Sequence, residues 1–162
     1  MKKILFPLLG VTVLFFSFTT KTAATGKKDL PKNIASSFTA KYPDARIKKW
    51  EMKDNDYIVR FDENNEKCTS WYTPDGKWVK TERHFALSKD LPAAVREGFN
   101  HSPYMSWHID NIKEVMNNDG QPLYVLHVDD GDKWDSDHYD AFKTDYLIYF
   151  SPDGTLKNKV KR

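Results

Sequence analysis

The stretch Tyr72–Trp78 reads YTPDGKW, and Phe150–Leu156 reads FSPDGTL. Each sets an aromatic and a hydroxyl residue before Pro-Asp-Gly, then one free position and a large apolar residue. Proline suits the second position of a four-residue turn, and glycine accepts the positive φ that closes a short hairpin. Both stretches therefore predict β-hairpins in which Tyr72 and Trp78, and Phe150 and Leu156, face each other across the strands. A single glycine cannot build a phosphate-binding loop. Two short copies can arise by chance, so the residues before them decide.

Upstream of the first turn lies DLPKNIASSFTAKYP (Asp29–Pro43), and upstream of the second DLPAAVREGFNHSPY (Asp90–Tyr104). The two align 61 positions apart from Asp29/Asp90 through Phe38/Phe99. Each predicts a helix capped by its aspartate, with proline in the first turn, where a missing N–H costs nothing. Leu30, Ile34 and Phe38 form one apolar stripe; Leu91, Val95 and Phe99 form the other. Pro43 ends the first helix.

Strands follow in the same order. DYIVRFD (Asp56–Asp62) alternates like LYVLHVD (Leu123–Asp129), now 67 positions apart at Tyr57/Tyr124, and the turn aromatics Tyr72/Phe150 are 78 apart. The second copy has thus gained six residues between helix and strand and eleven between strands. Matching helix, strand and turn in one order indicate an internal duplication, with repeats at about 29–87 and 88–162. Each repeat reads as a helix followed by four antiparallel strands. These lie near Arg46–Met52, Tyr57–Asp62, Lys67–Thr73 and Lys77–Phe85, then near Ile109–Met116, Leu123–Asp129, Asp145–Ser151 and Thr155–Val160. Helices ahead of runs of strands give an antiparallel α+β fold. A repeat of ~60 residues is marginal alone, so the two sheets are expected to join or share a core.

Residues 1–24 read as a signal peptide: a basic Met1-Lys2-Lys3, an apolar run Ile4–Phe18 and small residues at Thr22-Ala23-Ala24. The competing reading, a retained anchor, meets an apolar run shorter than the ~20 residues a spanning helix needs. Cleavage after Ala24 removes three lysines, leaving 22 basic and 23 acidic side chains in residues 25–162. A near-neutral remainder offers no electrostatic case for nucleic acid. No cysteine follows the apolar run to carry a lipid, so the expectation is a soluble periplasmic or secreted protein without a membrane span after cleavage. Cys68, the single cysteine, cannot form an internal disulfide; it reads as a buried inert thiol rather than a reactive one.

The pattern LPKNIASSFTAKYPDARIKKWE followed by YIVRFD and YTPDGKW resembles the PepSY-like proteins exported by Bacteroidetes. The markers are Leu30-Pro31, Phe38, Pro43, Trp50, Tyr57, Pro74-Asp75-Gly76 and Trp78. The resemblance implies a fold like that of the β-lactamase inhibitor protein: two tandem modules, each a helix plus a four-stranded antiparallel sheet. It also implies a secreted binding role and no catalytic residues. The second copy departs from the pattern, with Ile112 near the place of Trp50 and Leu156 in that of Trp78.

Catalytic templates are missing: there is no Gly-x-Ser-x-Gly elbow, no His-Glu-x-x-His helix and no glycine-rich phosphate loop. No enzyme activity and no cofactor are expected. His84, His101, His108, His127 and His138 share no metal-ligand spacing. The acidic stretch Asp129–Phe142 supports two readings. Asp130, Asp132, Asp135 and Asp137 are candidate ligands for a divalent ion or small ligand, or the stretch is a solvated hairpin tip that keeps an edge soluble. The main functional expectation is a binding module, an inhibitor or sensor of an envelope or secreted protein. Alternation puts Tyr57, Val59, Phe61, Tyr124, Leu126 and Val128 under the helices, joined by Tyr72 and Phe150. The opposite, open face then carries Ile58, Arg60 and Trp71 in the first copy and Val125, His127, Leu147 and Tyr149 in the second. These are the candidate binding residues; the competing reading covers that face with the other copy, the segment from Thr25 or a second subunit. The sequence names neither the partner nor an oligomeric state.

Overall fold

The computed structural model describes residues 29–131, 133–134, 141–142 and 144–162; the signal peptide expected over residues 1–24 lies outside them. The first half comprises α1 (Lys32–Lys41), β1 (Arg46–Lys53), β2 (Asp56–Glu63), β3 (Glu66–Tyr72) and β4 (Trp78–Phe85). The second comprises α2 (Ala93–Asn100), β5 (His108–Asn117), β6 (Leu123–Asp129), the two-residue strands β7 (Lys133–Trp134) and β8 (Ala141–Phe142), then β9 (Asp145–Phe150) and β10 (Leu156–Lys161). β7 and β8 pair only with each other and fill part of the eleven-residue gain. The other eight form one antiparallel sheet in the order β1-β2-β3-β4-β5-β6-β9-β10. The halves therefore join edge to edge where β4 pairs with β5, from Lys80 opposite Asn117 to Phe85 opposite Ile112.

Both helices begin later than aspartate caps would allow. Pro31 and Pro92, with ψ of 139° and 143°, are the N-cap residues, and their carbonyls accept the Ala35 and Arg96 N–H groups at 2.9 and 3.1 Å. A residue before proline is pushed out of the helical region. Leu30 and Leu91 precede the prolines, so neither Asp29 nor Asp90 can adjoin a helical turn. Asp90 instead closes a 3-10 turn, Ser88–Asp90.

The apolar stripes bury as expected, and on one sheet face. Ile34, Phe38 and Tyr42 pack with Val59, Phe61, Cys68 and Tyr72. Leu91, Val95 and Phe99 pack with Ile112, Leu126, Val128, Ile148 and Phe150. Full burial of one such side chain contributes roughly 1.5–3 kcal/mol. Between the two cores runs a polar seam on β4 and β5. Arg83 lies 3.1, 3.5 and 3.3 Å from Glu66, Glu63 and Glu114, and the Tyr124 hydroxyl donates to Glu114 at 3.0 Å. Cys68 is buried, and burial pushes its thiol pKa up.

The opening turns form the predicted pairs, Tyr72 with Trp78 and Phe150 with Leu156. Gly76 (φ +88°) and Gly154 (φ +83°) supply the left-handed residue, and their N–H groups bond the Thr73 and Ser151 carbonyls at 2.9 Å. Each turn also presses on its own helix. Gly76 lies against Asn33 and Ser37 of α1, and Gly154 against Ala94 and Gly98 of α2. The motif recurs because a turn that seats on a helix must be narrow there.

Candidate binding face

The face opposite the helices is built in rows by strand register. One row runs Glu51, Ile58, Trp71, Lys80, Asn117. The next runs Lys49, Arg60, Thr69, Glu82, Val115, Leu123, and a third His84, Lys113, Val125, Tyr149, Asn158. Register thus pairs Ile58 with Trp71, Val125 with Tyr149 and His127 with Leu147. Two strands stand between the first-half and second-half sets. β3 and β6 are three strand spacings apart, roughly 14 Å.

Trp71, Leu147 and Tyr149 are half-buried. Ile58 and Val125, by contrast, are 7% and 3% exposed, so they floor the face and leave the contact area to the side chains beside them. Arg60 is half-buried and pairs with Glu51 at 2.7 Å. His127 is half-buried, its Nδ1 3.4 Å from Asp110 and its Nε2 3.9 Å from Asp145.

At the centre stands Glu82, gripped by Lys80 at 2.8 Å and Lys113 at 2.9 Å. Burial works against its charge, but the two lysine hydrogen bonds outweigh burial and hold the carboxyl below its ordinary pKa. Lys80 also lies 4.1 Å from the Trp71 ring centroid, a cation–π contact that fixes the indole's position. Burial holds His84 below its ordinary pKa, and Lys113 and Lys67 add to that against the pull of Glu82. Toward β1 the face dips into a shallow depression of about 590 Å³ flanked by Lys48, Lys49, Arg60, Asp62, Lys67 and His84. The arrangement offers two aromatic anchors around a fixed ion triad, with a basic hollow at one end. The sequence reading missed the triad. Its signal was the Lys80-Thr81-Glu82 alternation, and only the β4–β5 register brings Lys113 to it.

The acidic stretch gives less. Asp130 Oδ1 accepts the Thr144 N–H at 2.9 Å, pinning the base of the insertion; Asp132, Asp135 and Asp137 lie outside the described residues. Among the described residues no helix is long and apolar enough to cross a membrane.

One protein-family model, described as "putative beta-lactamase-inhibitor-like, PepSY-like", matches the chain over residues 17–70 and 63–158. The chain belongs to the PepSY-like family. Solved structures agree with its fold. A DUF2874 family protein from Bacteroides ovatus is 26% identical with a TM-score of 0.69, covering 82% of this chain and 88% of its own. A BLIP-like protein from Bacteroides fragilis is 24% identical with a TM-score of 0.68, covering 83% and 89%. A "putative periplasmic" protein from Bacteroides eggerthii is 23% identical with a TM-score of 0.65, covering 82% and 89%. A comparison with curated proteins found no match. The β-lactamase-inhibitor-like fold expected of the PepSY-like chain is therefore the fold it has.

Proposed function

We propose that this PepSY-like chain is an exported, non-catalytic binding protein of the cell envelope that captures a folded protein on its open sheet face. One observation carries the reading. A sheet face that met only water would be polar throughout, whereas this one keeps Trp71, Leu147 and Tyr149 half-buried beside a half-buried Lys80–Glu82–Lys113 triad. Aromatic anchors with a few fixed polar groups are the composition of protein-binding surfaces. The basic hollow toward β1 suits a partner that presents an acidic loop there. The apolar N-terminal run and the periplasmic description of the Bacteroides eggerthii relative support export. A buried Cys68 with a raised pKa supports a non-catalytic role. A Pro-Asp-Gly turn set against the helix of its own half, in both halves, supports two tandem modules that arose by duplication.

Photo-crosslinking in cells tests the reading. A crosslinker at Trp71 or Tyr149 should capture one discrete protein. The same group at Ser36 or Glu97, exposed on α1 and α2, should not. Capture from the helix side alone, or from neither side, rejects the proposal.

A further inference from the structure

Two strands of the second half carry the same pattern: His108-Ile109-Asp110 in β5 and His127-Val128-Asp129 in β6. Antiparallel pairing sets His108 opposite Asp129. A bulge at Asp110, between Ile109 and Asn111, turns that carboxylate toward His127. In β9, Asp145 pairs with Asp129. Two imidazoles and three carboxylates thus meet at one corner of the sheet. Ligating atoms of His108, Asp110 and Asp129 all lie within 4.8 Å of one another. Asp110 reaches both rings, with Oδ1 3.3 Å from His108 Nε2 and Oδ2 3.4 Å from His127 Nδ1. His127 Nε2 and Asp145 Oδ1 face each other at 3.9 Å, both buried and without a hydrogen bond among the described residues.

The first half shows these positions put to another use. Register and the equivalent bulge at Lys48 place Arg46, Lys48, Arg60, Asp62 and Lys67 where the second half has His108, Asp110, His127, Asp129 and Asp145. There Lys48 donates to Asp62 at 2.8 Å. In the second half four cationic positions hold two imidazoles and two carboxylates, while the aspartate is kept and is 2% exposed. Clustered carboxylates, one of them buried, favour a cation. Neutral imidazole nitrogen mixed with carboxylate oxygen is the donor set of zinc-like ions, whereas calcium and magnesium select oxygen alone.

We propose that His108, Asp110 and Asp129 bind a divalent transition-metal ion of the zinc class. His127, wedged between Asp110 and Asp145, orients the Asp110 carboxylate in the way second-ring partners orient metal ligands. This site uses none of Asp130, Asp132, Asp135 or Asp137, and it shares only His127 with the open face.

The test is calorimetric titration of the chelator-stripped protein with zinc chloride, together with thermal melting in zinc, calcium or magnesium. One zinc per chain and a raised melting temperature are expected, with little shift in calcium or magnesium. His108→Gln and Asp110→Asn, both at exposed positions, should weaken zinc at least about tenfold while leaving the metal-free melting temperature near the parent's. Asp110→Lys, which copies the first half, should abolish zinc binding in a protein that stays folded. The proposal is overturned by a wild type that takes up no zinc, by equal stabilisation in calcium, or by zinc affinity that survives these substitutions.

Discussion

The two Pro-Asp-Gly turns are the same in sequence and differ in how they sit. In the first half a Cβ on Gly76 would meet Asn33 and Ser37 at an ordinary 3.4 Å, and the Asn33 amide donates to the Pro74 carbonyl at 2.9 Å. In the second half a Cβ on Gly98 would lie 1.9 Å from the Gly154 carbonyl oxygen, and one on Gly154 would lie 2.1 Å from the Ala94 carbonyl oxygen. One turn is held by side chains and the other by backbone against backbone. The cores differ in the same spirit. The first sets Phe38 edge-to-face on Phe61 at 4.9 Å with Tyr42 at 5.5 Å from Phe38, whereas the second packs its helix residue Phe99 among Leu91, Val95, Ile112, Leu126, Val128 and Ile148 as well as Tyr104, Tyr124 and Phe150. One backbone plan therefore tolerates two packing solutions, and substitutions should report which half they fall in.

The largest effect is expected in the cores. Phe38→Ala should cost about 4–5 kcal/mol and Phe99→Ala about 3 kcal/mol, read from denaturant unfolding. Phe38 is the deeper residue, 2% against 8% exposed, and it loses edge-to-face contacts as well as area. Equal losses would erase the proposed difference, and a loss near zero at either would deny a shared packing plan.

Turn seating comes next. Gly98→Ala should destabilise by about 2–3 kcal/mol, because the colliding atoms are backbone and cannot step aside. Gly76→Ala should cost only the roughly 1–2 kcal/mol of an alanine held at positive φ. Gly154→Ala, strained on both counts, should exceed Gly76→Ala. If Gly76 and Gly154 respond alike, the close seating of the second turn is wrong.

A smaller effect appears in acid. The Thr73 hydroxyl and Lys77 hold the Asp75 carboxyl at a pKa of about 2, and the Ser151 hydroxyl with the Thr155 N–H does the same for Asp153. Folded values below the unfolded ~3.9 mean that this stabilisation is complete above about pH 4 and is lost as pH falls toward 2. Asp75→Asn and Asp153→Asn should each flatten the decline in melting temperature between pH 4 and 2. A decline as steep as the parent's would show that the turns do not contribute.

The halves were legible in sequence because their signals are local. The Leu30/Ile34/Phe38 and Leu91/Val95/Phe99 stripes, the alternation in β2 and β6 and the two turns each depend on neighbours a few residues away. The helix starts were misplaced because proline restricts the residue before it more strongly than aspartate caps. Between strands, alternation told which face a residue occupies but not what lies over it. Ile58 and Val125 were read as surface, yet they sit low among Trp71, Lys113 and Tyr149. The Lys80–Glu82–Lys113 triad and the convergence of His108 with Asp129 need strand register and the bulge at Asp110, which no single stretch encodes.

The Trp71→Ala/Tyr149→Ala double variant tests the open face most directly. Half-buried anchors that serve a partner contribute little to folding, so the melting temperature should stay within about 5 °C of the parent, the shift that ~1 kcal/mol produces in a small domain. The same variant should lose the partner that wild-type crosslinking identifies. A variant that unfolds would make these side chains core, and one that keeps both its stability and its partner would place the binding surface elsewhere.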